Sequence, residues 1–169
     1  MHKKRTPPVV SIVGRSGSGK TFLIEKLIKE FKKRGYKVGT IKHHFHKDFE
    51  IDIEGKDSWK HAKAGSDAVV ISSPSKFAMV KKVEKEASLD HIIDNFLLDM
   101  DIVLTEGFTK ENKPRIIILK KPEDLEIFSL GFEVLAVINE KGFSVPYPSF
   151  KFDETRLLVN FMIDRLKIE

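Results

Sequence analysis

The chain has 169 residues, of which 41% are hydrophobic, and this size and composition suit one domain with its own apolar core. It contains no cysteine, so disulfides and thiolate metal sites are excluded. The formal net charge of +5 favours anionic partners such as nucleotides, whereas no apolar stretch reaches the roughly 20 residues of a membrane span. We therefore expect a soluble, cytoplasmic protein without a membrane partner.

Residues 1–8 are polar and basic and end in two prolines, and we interpret them as a flexible tail. They are too short and too polar for a signal peptide. Lys3, Lys4 and Arg5 form a compact basic run, which is usually solvated but can also serve as a nucleic-acid arm. Because no recognised reader motif accompanies this charge, we expect no nucleic acid partner.

A strand, a glycine-rich turn and a helix are predicted where the folded region begins. Residues 9–13 (VVSIV) are rich in β-branched side chains and predict a buried strand. The glycine-rich turn follows at residues 14–21. Residues 22–34 carry apolar side chains at helical spacing and charged ones on the other face, which predicts an amphipathic helix. Gly35 ends this helix in the left-handed conformation of a glycine cap.

The rest of the chain alternates apolar runs with helical patterns. Further strands are predicted at residues 37–42, 68–72, 77–81, 102–105, 115–119 and 134–138. Helices are predicted at residues 58–64, 88–98 and 153–168, the first capped by Ser58 or Asp57 and the second by Ser88. The runs at 68–72 and 77–81 predict a β-hairpin. The whole order predicts one α/β domain over residues 9–169, with a mainly parallel sheet and helices on both faces.

The glycine-rich turn reads GRSGSGKT and matches the phosphate-loop pattern G-x-x-x-x-G-K-S/T between a strand and a helix. Its glycines let backbone N–H groups point at phosphate oxygens, and the helix N-terminus adds the positive end of its dipole. The predicted nucleotide-binding residues are Gly14, Arg15, Ser16, Gly17, Ser18, Gly19, Lys20 and Thr21. Lys20 is expected to reach the β and γ phosphates of a nucleoside triphosphate. The predicted fold class is therefore a single-domain P-loop NTPase with a β-hairpin extension.

A carboxylate for Mg²⁺ is predicted at the end of the strand at residues 102–105. P-loop proteins hold Mg²⁺ with the hydroxyl of the loop and an acidic residue at the end of a neighbouring strand. Glu106 directly follows this strand, whereas Asp101 lies at the opposite end. We therefore predict Thr21 and Glu106 as the Mg²⁺ residues, and we assign no catalytic residue.

Residues 43–57 form a polar stretch without a clear period, and a loop of this length usually has a function. Six histidines and acids crowd into its first ten residues, namely His43, His44, His46, Asp48, Glu50 and Asp52. Three interpretations compete: a transition-metal site, a substrate or partner site with carboxylates linked to Mg²⁺, and a solvated loop. Trp59, the only tryptophan, is interpreted as an anchor for the short helix or as a stacking surface.

Several segments, taken in order, resemble the molybdopterin-guanine dinucleotide biosynthesis adapter family (MobB). They are GRSGSGKT, TIKHHFHKDFEID, GKDSWKHAKAGSDAVVISSP, DIVLTEGF and the strand that begins Lys-Pro-Arg-Ile-Ile-Ile, and together they cover roughly residues 9–119. The resemblance implies a P-loop homodimer that binds GTP with Mg²⁺ and has weak GTPase activity. It also implies a role in molybdenum cofactor maturation, in which the partners are molybdopterin and the guanylyltransferase that attaches GMP to it.

By position, residues 17–21 correspond to the family's nucleotide-binding residues, and Glu106 corresponds to its acidic metal-binding residue. The family's possible switch or cofactor loop falls on His43, His46, Asp48 and Asp52. No Asn/Thr-Lys-x-Asp guanine motif is present, and Asn139-Glu140-Lys141 has the wrong spacing for one. Guanine preference therefore comes from the resemblance alone. An exposed strand edge within residues 68–82 is a candidate dimer surface.

Two other functions remain open. A small-molecule kinase would require an arginine-rich lid, but residues 107–150 contain only Arg115. A GTPase that inserts nickel or another metal is favoured by the histidine loop, although the absence of cysteine removes a common type of ligand.

Overall fold

The computed structural model describes residues 6–45 and 49–168 of the chain. The strands of this part are β1 (Val9–Val13), β2 (Val38–Lys42), β3 (Ala68–Ser72), β4 (Phe77–Lys81), β5 (Ile102–Glu106), β6 (Arg115–Ile118), β7 (Val134–Ile138) and β8 (Ser149–Phe150). The helices are α1 (Lys20–Lys33), α2 (Asp57–Lys63), α3 (Leu89–Phe96), α4 (Glu123–Ser129) and α5 (Thr155–Leu166), with a 3-10 turn at Phe152–Glu154. The chain forms two compact units, one of residues 1–43 and 89–169 and the other of residues 44–88.

The first unit is built on a six-stranded sheet in the order β2-β5-β1-β6-β7-β8, and every neighbouring pair of strands is parallel. All side chains of β1 and β6 are buried, as expected for a parallel sheet that is covered on both faces. Val10 and Ile12 pack with α1 and α5 on one face. On the other face, Val9 packs with α3 and Val13 packs with α4. The predicted α/β fold class is confirmed.

Helix α1 begins at Lys20, two residues earlier than predicted, because Leu23 N–H already donates to Gly19 O at 2.9 Å. Lys20 and Thr21 therefore lie in the first helical turn. The helix ends as predicted. Gly35 has a φ of 87°, and Tyr36 N–H donates to Phe31 O at 3.2 Å, which closes the helix with a glycine cap.

Three details of the sequence-based prediction were wrong or incomplete. The N-cap of α2 is Lys56, which makes no side-chain capping bond, so the predicted cap at Ser58 or Asp57 is wrong. Helix α4 and strand β8 were not predicted. Both are short, with seven and two residues, and such segments are below the length at which periodicity is a useful signal.

The second unit contains α2 and the antiparallel hairpin of β3 and β4, which confirms the hairpin prediction. Ser73 N–H donates to Lys76 O at 2.8 Å across the turn. Val69 and Ile71 face a cleft that Trp59 also lines, and Trp59 is half-buried there. The opposite face of the hairpin carries Val70, Phe77 and Met79, whose exposed fractions are 53%, 66% and 42%. This face is therefore apolar and open to solvent within the described chain.

None of the helices in residues 6–45 and 49–168 combines the length and the apolar surface that crossing a bilayer requires.

Candidate functional site

The glycine-rich loop lies at the carboxyl end of β1, at the centre of the sheet, and leads into α1. Gly17 and Gly19 have φ values of 66° and 98°, which residues with a Cβ rarely adopt. A Cβ on Gly19 would also lie 2.9 Å from Phe152 Cζ. Lys20 Nζ donates to Gly14 O at 3.0 Å and to Arg15 O at 2.8 Å, so its ammonium group lies across the loop. The loop thus gathers backbone N–H groups, a helix N-terminus and a positive charge, which together fit phosphate.

Glu106 meets Thr21 beside this loop. Strand β5 pairs with β1, and Glu106 lies opposite Ile12 in the register, close to where β1 ends. Thr21 Oγ1 lies 3.2 and 3.1 Å from the two carboxylate oxygens of Glu106 and donates to the carboxylate. A hydroxyl and a carboxylate are oxygen ligands of the kind that Mg²⁺ prefers. The residues present therefore fit an Mg²⁺ ion bound together with phosphate.

His43 lies next to the same carboxylate-bearing segment. Its backbone N–H donates to Glu106 O at 2.8 Å, and its ring centroid is 5.2 Å from that of Phe108. Gly107 has a φ of 91°, and a Cβ there would lie 3.1 Å from His43 O, so the close approach requires glycine. Lys42 Nζ is 3.8 Å from Glu106 Oε1. The structure thus brings His43 together with Glu106 and the phosphate loop.

His46, Asp48 and Asp52 are the other residues that were predicted for the histidine and acidic loop. His46 and Asp48 lie outside the described residues. Asp52 belongs to the second unit, where its Oδ1 accepts the N–H of Ile53 at 2.8 Å. Across residues 6–45 and 49–168, no three histidine or acidic side chains cluster as a metal site would require.

Asp124 is a residue of this region that no sequence pattern indicates. It is fully buried at the start of α4, and its carboxylate accepts a hydrogen bond from Arg15 Nε in the phosphate loop. The N–H groups of Lys120 and Lys121 also donate to it, at 2.8 and 3.1 Å. Burial alone would raise the pKa of Asp124, but these hydrogen bonds and the Arg15 charge lower it below its usual value. Asp124 therefore holds Arg15 of the phosphate loop from the start of α4.

We expect Asp124→Asn to lower the free energy of unfolding by about 1–3 kcal/mol at pH 7, because an ionised acceptor of three hydrogen bonds becomes neutral. The pKa of Asp124 is lowered by folding. The contribution of ionised Asp124 to stability is therefore present above its pKa in the unfolded state, which is about 4. It is lost as the pH falls through the pKa of Asp124 in the folded state. Urea unfolding at pH 7 and pH 3 measures the difference in the free energy of unfolding between the variant and the wild type.

The exposed Glu123, next to Asp124, provides the control variant Glu123→Gln, which should change stability little at either pH. If Asp124→Asn loses the same free energy of unfolding at pH 7 and at pH 3, the proposal that ionised Asp124 stabilises the fold is wrong.

Arg115, the only arginine in residues 107–150, is a structural residue. It is 1% exposed and donates to Phe128 O at 2.9 Å and to the carbonyls of Thr109 and Glu111 at 3.2 Å. Its guanidinium lies 3.3 Å from the ring centroid of Phe132. Burial lowers the pKa of Arg115. The side chain therefore links the loop before β6 to helix α4 by hydrogen bonds.

Asn139, the first residue of the Asn-Glu-Lys segment after β7, closes a turn. It is buried, its Nδ2 donates to Phe143 O at 2.8 Å, and its Oδ1 accepts Phe143 N–H at 3.0 Å. Both ends of the amide are thus engaged with the backbone of the turn after β7.

Comparisons with known proteins identify the family of the chain. A sequence model of the family described as Molybdopterin guanine dinucleotide synthesis protein B (MobB) matches residues 9–140. The chain is 37% identical to the molybdopterin-guanine dinucleotide biosynthesis adapter protein of Haemophilus influenzae, over 90% of the chain and 82% of that protein. A crystal structure of molybdopterin-guanine biosynthesis protein B has a TM-score of 0.77 at 37% identity, covering 94% of this chain and 99% of its own. A MobB structure from Bacillus subtilis has a TM-score of 0.77 at 28% identity, covering 96% and 99%. The chain therefore belongs to the MobB family, as its motifs indicate.

Proposed function

We propose that this chain binds GTP with Mg²⁺ and acts as an accessory protein in the formation of molybdopterin guanine dinucleotide, with weak GTPase activity. The observation that carries the proposal is the convergence of Lys20, Thr21 and Glu106 at the phosphate loop, with Thr21 Oγ1 about 3 Å from the Glu106 carboxylate. The names of the relatives, which are adapter proteins of this biosynthesis, supply the biological role.

Each group at the site has a defined task in this proposal. The backbone N–H groups of residues 14–21 and the N-terminus of α1 hold the phosphates, and Lys20 binds the β and γ phosphates. Thr21 and Glu106 hold Mg²⁺, which when bound neutralises phosphate charge. In this proposal hydrolysis is slow, because Arg15 is bound to Asp124 and Arg115 is buried, so that neither supplies a positive charge to the transition state.

The proposed partners are molybdopterin and the guanylyltransferase that adds GMP to it. The loop of His43, His46, Asp48 and Asp52 is the proposed contact region, which either responds to the γ-phosphate or touches the cofactor or its enzyme. A cytoplasmic location fits a chain without cysteine.

Calorimetric titration with non-hydrolysable analogues of GTP and ATP, each with and without Mg²⁺, tests the function. We expect binding of the GTP analogue that strengthens with Mg²⁺ and exceeds that of the ATP analogue. Equal binding of both analogues would remove the support for GTP and favour the kinase alternative. Absence of binding to either would overturn the proposal.

A homodimer formed through the hairpin of β3 and β4 is part of the proposed function. A two-stranded sheet is only marginally stable alone. A second copy of the chain that packs on the hairpin would cover its exposed apolar face and its open strand edges. Val70 and Met79 face each other across the two strands and stand on that open face with Phe77.

Met79→Asp is expected to weaken the dimer by roughly 30-fold or more, because a carboxylate would be buried without a partner. Analytical ultracentrifugation measures the dissociation constant. Ser75→Asp, in the exposed turn of the same hairpin, adds the same charge and should leave the dimer intact. A wild-type chain that sediments as a monomer would contradict the proposed dimer.

A further inference from the structure

Two phenylalanines lie beside the phosphate loop. Phe22 follows Thr21 in the first turn of α1, and Phe152 begins the 3-10 turn after β8. Their ring centroids are 5.5 Å apart with an angle of 62° between the planes. Strand β8 lies on the side of β1 opposite to β5, so the chain brings Phe152 to the loop from the side that does not carry Glu106. We name this pair the aromatic pair.

The position of Phe152 is set by contacts on three sides. Its ring packs against Gly19, where a Cβ would clash at 2.9 Å. Its N–H donates to Glu140 Oε1 at 2.6 Å, and its carbonyl accepts a bond from Lys26 Nζ at 2.9 Å. The ring is thus held against the phosphate loop before any ligand arrives, which lowers the entropic cost of binding to it.

Phe22 presents an open aromatic surface next to this fixed ring. Its side chain is 50% exposed, and Lys26 Nζ lies 4.8 Å from the ring centroid on one side. Apolar rings that remain open at the edge of a polar site offer a surface on which a flat ligand can stack. The described contacts leave a large part of the Phe22 ring accessible.

The direction of a bound nucleotide follows from the residues on the two sides of the loop. Thr21 and Glu106 mark the metal side, on which the β and γ phosphates lie. The nucleoside must then leave the loop on the other side, towards β6, β7 and β8. The aromatic pair lies there. Asn139 in the same region is engaged within its own turn, so a hydrogen-bonding guanine reader of the usual kind is missing at that position.

We propose that the purine base stacks on the aromatic pair, with Phe22 as the main contact and Phe152 as its fixed support. This inference rests on the proposed nucleotide-binding function. Guanine and adenine both have a flat aromatic face that can stack on a ring. The aromatic pair therefore contributes affinity for the nucleoside but little discrimination between guanine and adenine. Any preference for guanine then comes from groups at the edge of the base.

The test compares binding of GTP and of inorganic tripolyphosphate to Phe22→Ala, both with Mg²⁺. We expect the affinity for GTP to fall by about 5- to 100-fold, as removal of one stacking ring usually causes, and the affinity for tripolyphosphate to stay unchanged. Phe22→Tyr keeps a ring and should bind GTP as the wild type does. Phe96→Ala is the matched control, because Phe96 is 53% exposed on α3, on the opposite face of the sheet.

Tryptophan at this position gives a second readout. The emission of Phe22→Trp, after subtraction of the wild-type signal, should change on addition of GTP and not on addition of tripolyphosphate. Equal losses of GTP and tripolyphosphate affinity in Phe22→Ala, or no loss of either, would overturn the stacking role while leaving the nucleotide-binding function in place. A wild-type chain that binds neither ligand would overturn both.

Discussion

Lys20→Ala is expected to reduce the affinity of the chain for GTP by roughly 30- to 3,000-fold, the usual range when one partner of a desolvated, hydrogen-bonded charge pair is removed. The ammonium of Lys20 lies across the loop, within 3.0 Å of Gly14 O and 2.8 Å of Arg15 O. From there it can bind the β and γ phosphates without a large movement. Isothermal titration with a non-hydrolysable GTP analogue measures the loss.

Lys32→Ala is the matched control, because Lys32 is exposed in the last turn of the same helix. It should bind the analogue as the wild type does. The melting temperature of Lys20→Ala should stay close to that of the wild type in the absence of nucleotide. An affinity within a few-fold of the wild-type value would show that the loop does not bind triphosphate through Lys20.

Glu106→Gln is expected to remove most of the Mg²⁺ dependence of nucleotide binding. Glutamine keeps the size of the side chain and can still accept a bond from Thr21 Oγ1, but it loses the negative charge. Loss of a carboxylate that supports a bound metal usually weakens metal affinity by about 10- to 100-fold. We therefore expect the wild-type gain in GTP affinity on adding Mg²⁺ to shrink by about that factor.

The measurement is a titration of Mg²⁺ at a fixed concentration of the GTP analogue. Binding without Mg²⁺ should be equal or stronger in the variant, because a negative charge near the phosphates is removed. Glu111→Gln serves as the charge-matched control in the loop after β5. If the variant keeps the full Mg²⁺ dependence, Glu106 does not support the metal.

The central part of the fold could be predicted because its signals are local. Strand β1, the glycine-rich turn and α1 occupy consecutive residues, and each has a strong pattern of its own: a β-branched run, the loop motif and a helical stripe closed by Gly35. The position of Glu106 beside the loop could be predicted because this residue ends a short apolar strand. Such features depend on neighbours in sequence and remain visible without the fold.

The rest of the site depends on contacts between distant residues. Asp124 is 109 positions from Arg15, and no pattern near either residue indicates that they meet. The contact between Gly19 and Phe152 also requires β8 to lie at the edge of the sheet, and a strand of two residues has no reliable sequence signal. The cap of α2 was wrong for a related reason: Asp57 and Ser58 are common cap residues, but the helix begins one residue before Ser58.

The spread of these contacts along the chain has a consequence for synthesis on the ribosome. The loop at residues 14–21 is synthesised before its tertiary partners, and Glu106, Asp124 and Phe152 meet it only after they too have left the exit tunnel. A nascent chain that stops before β8 contains the complete loop motif but lacks the ring that packs on Gly19. The surroundings of the loop are therefore completed late in folding, since the loop must wait for residues that lie far along the chain.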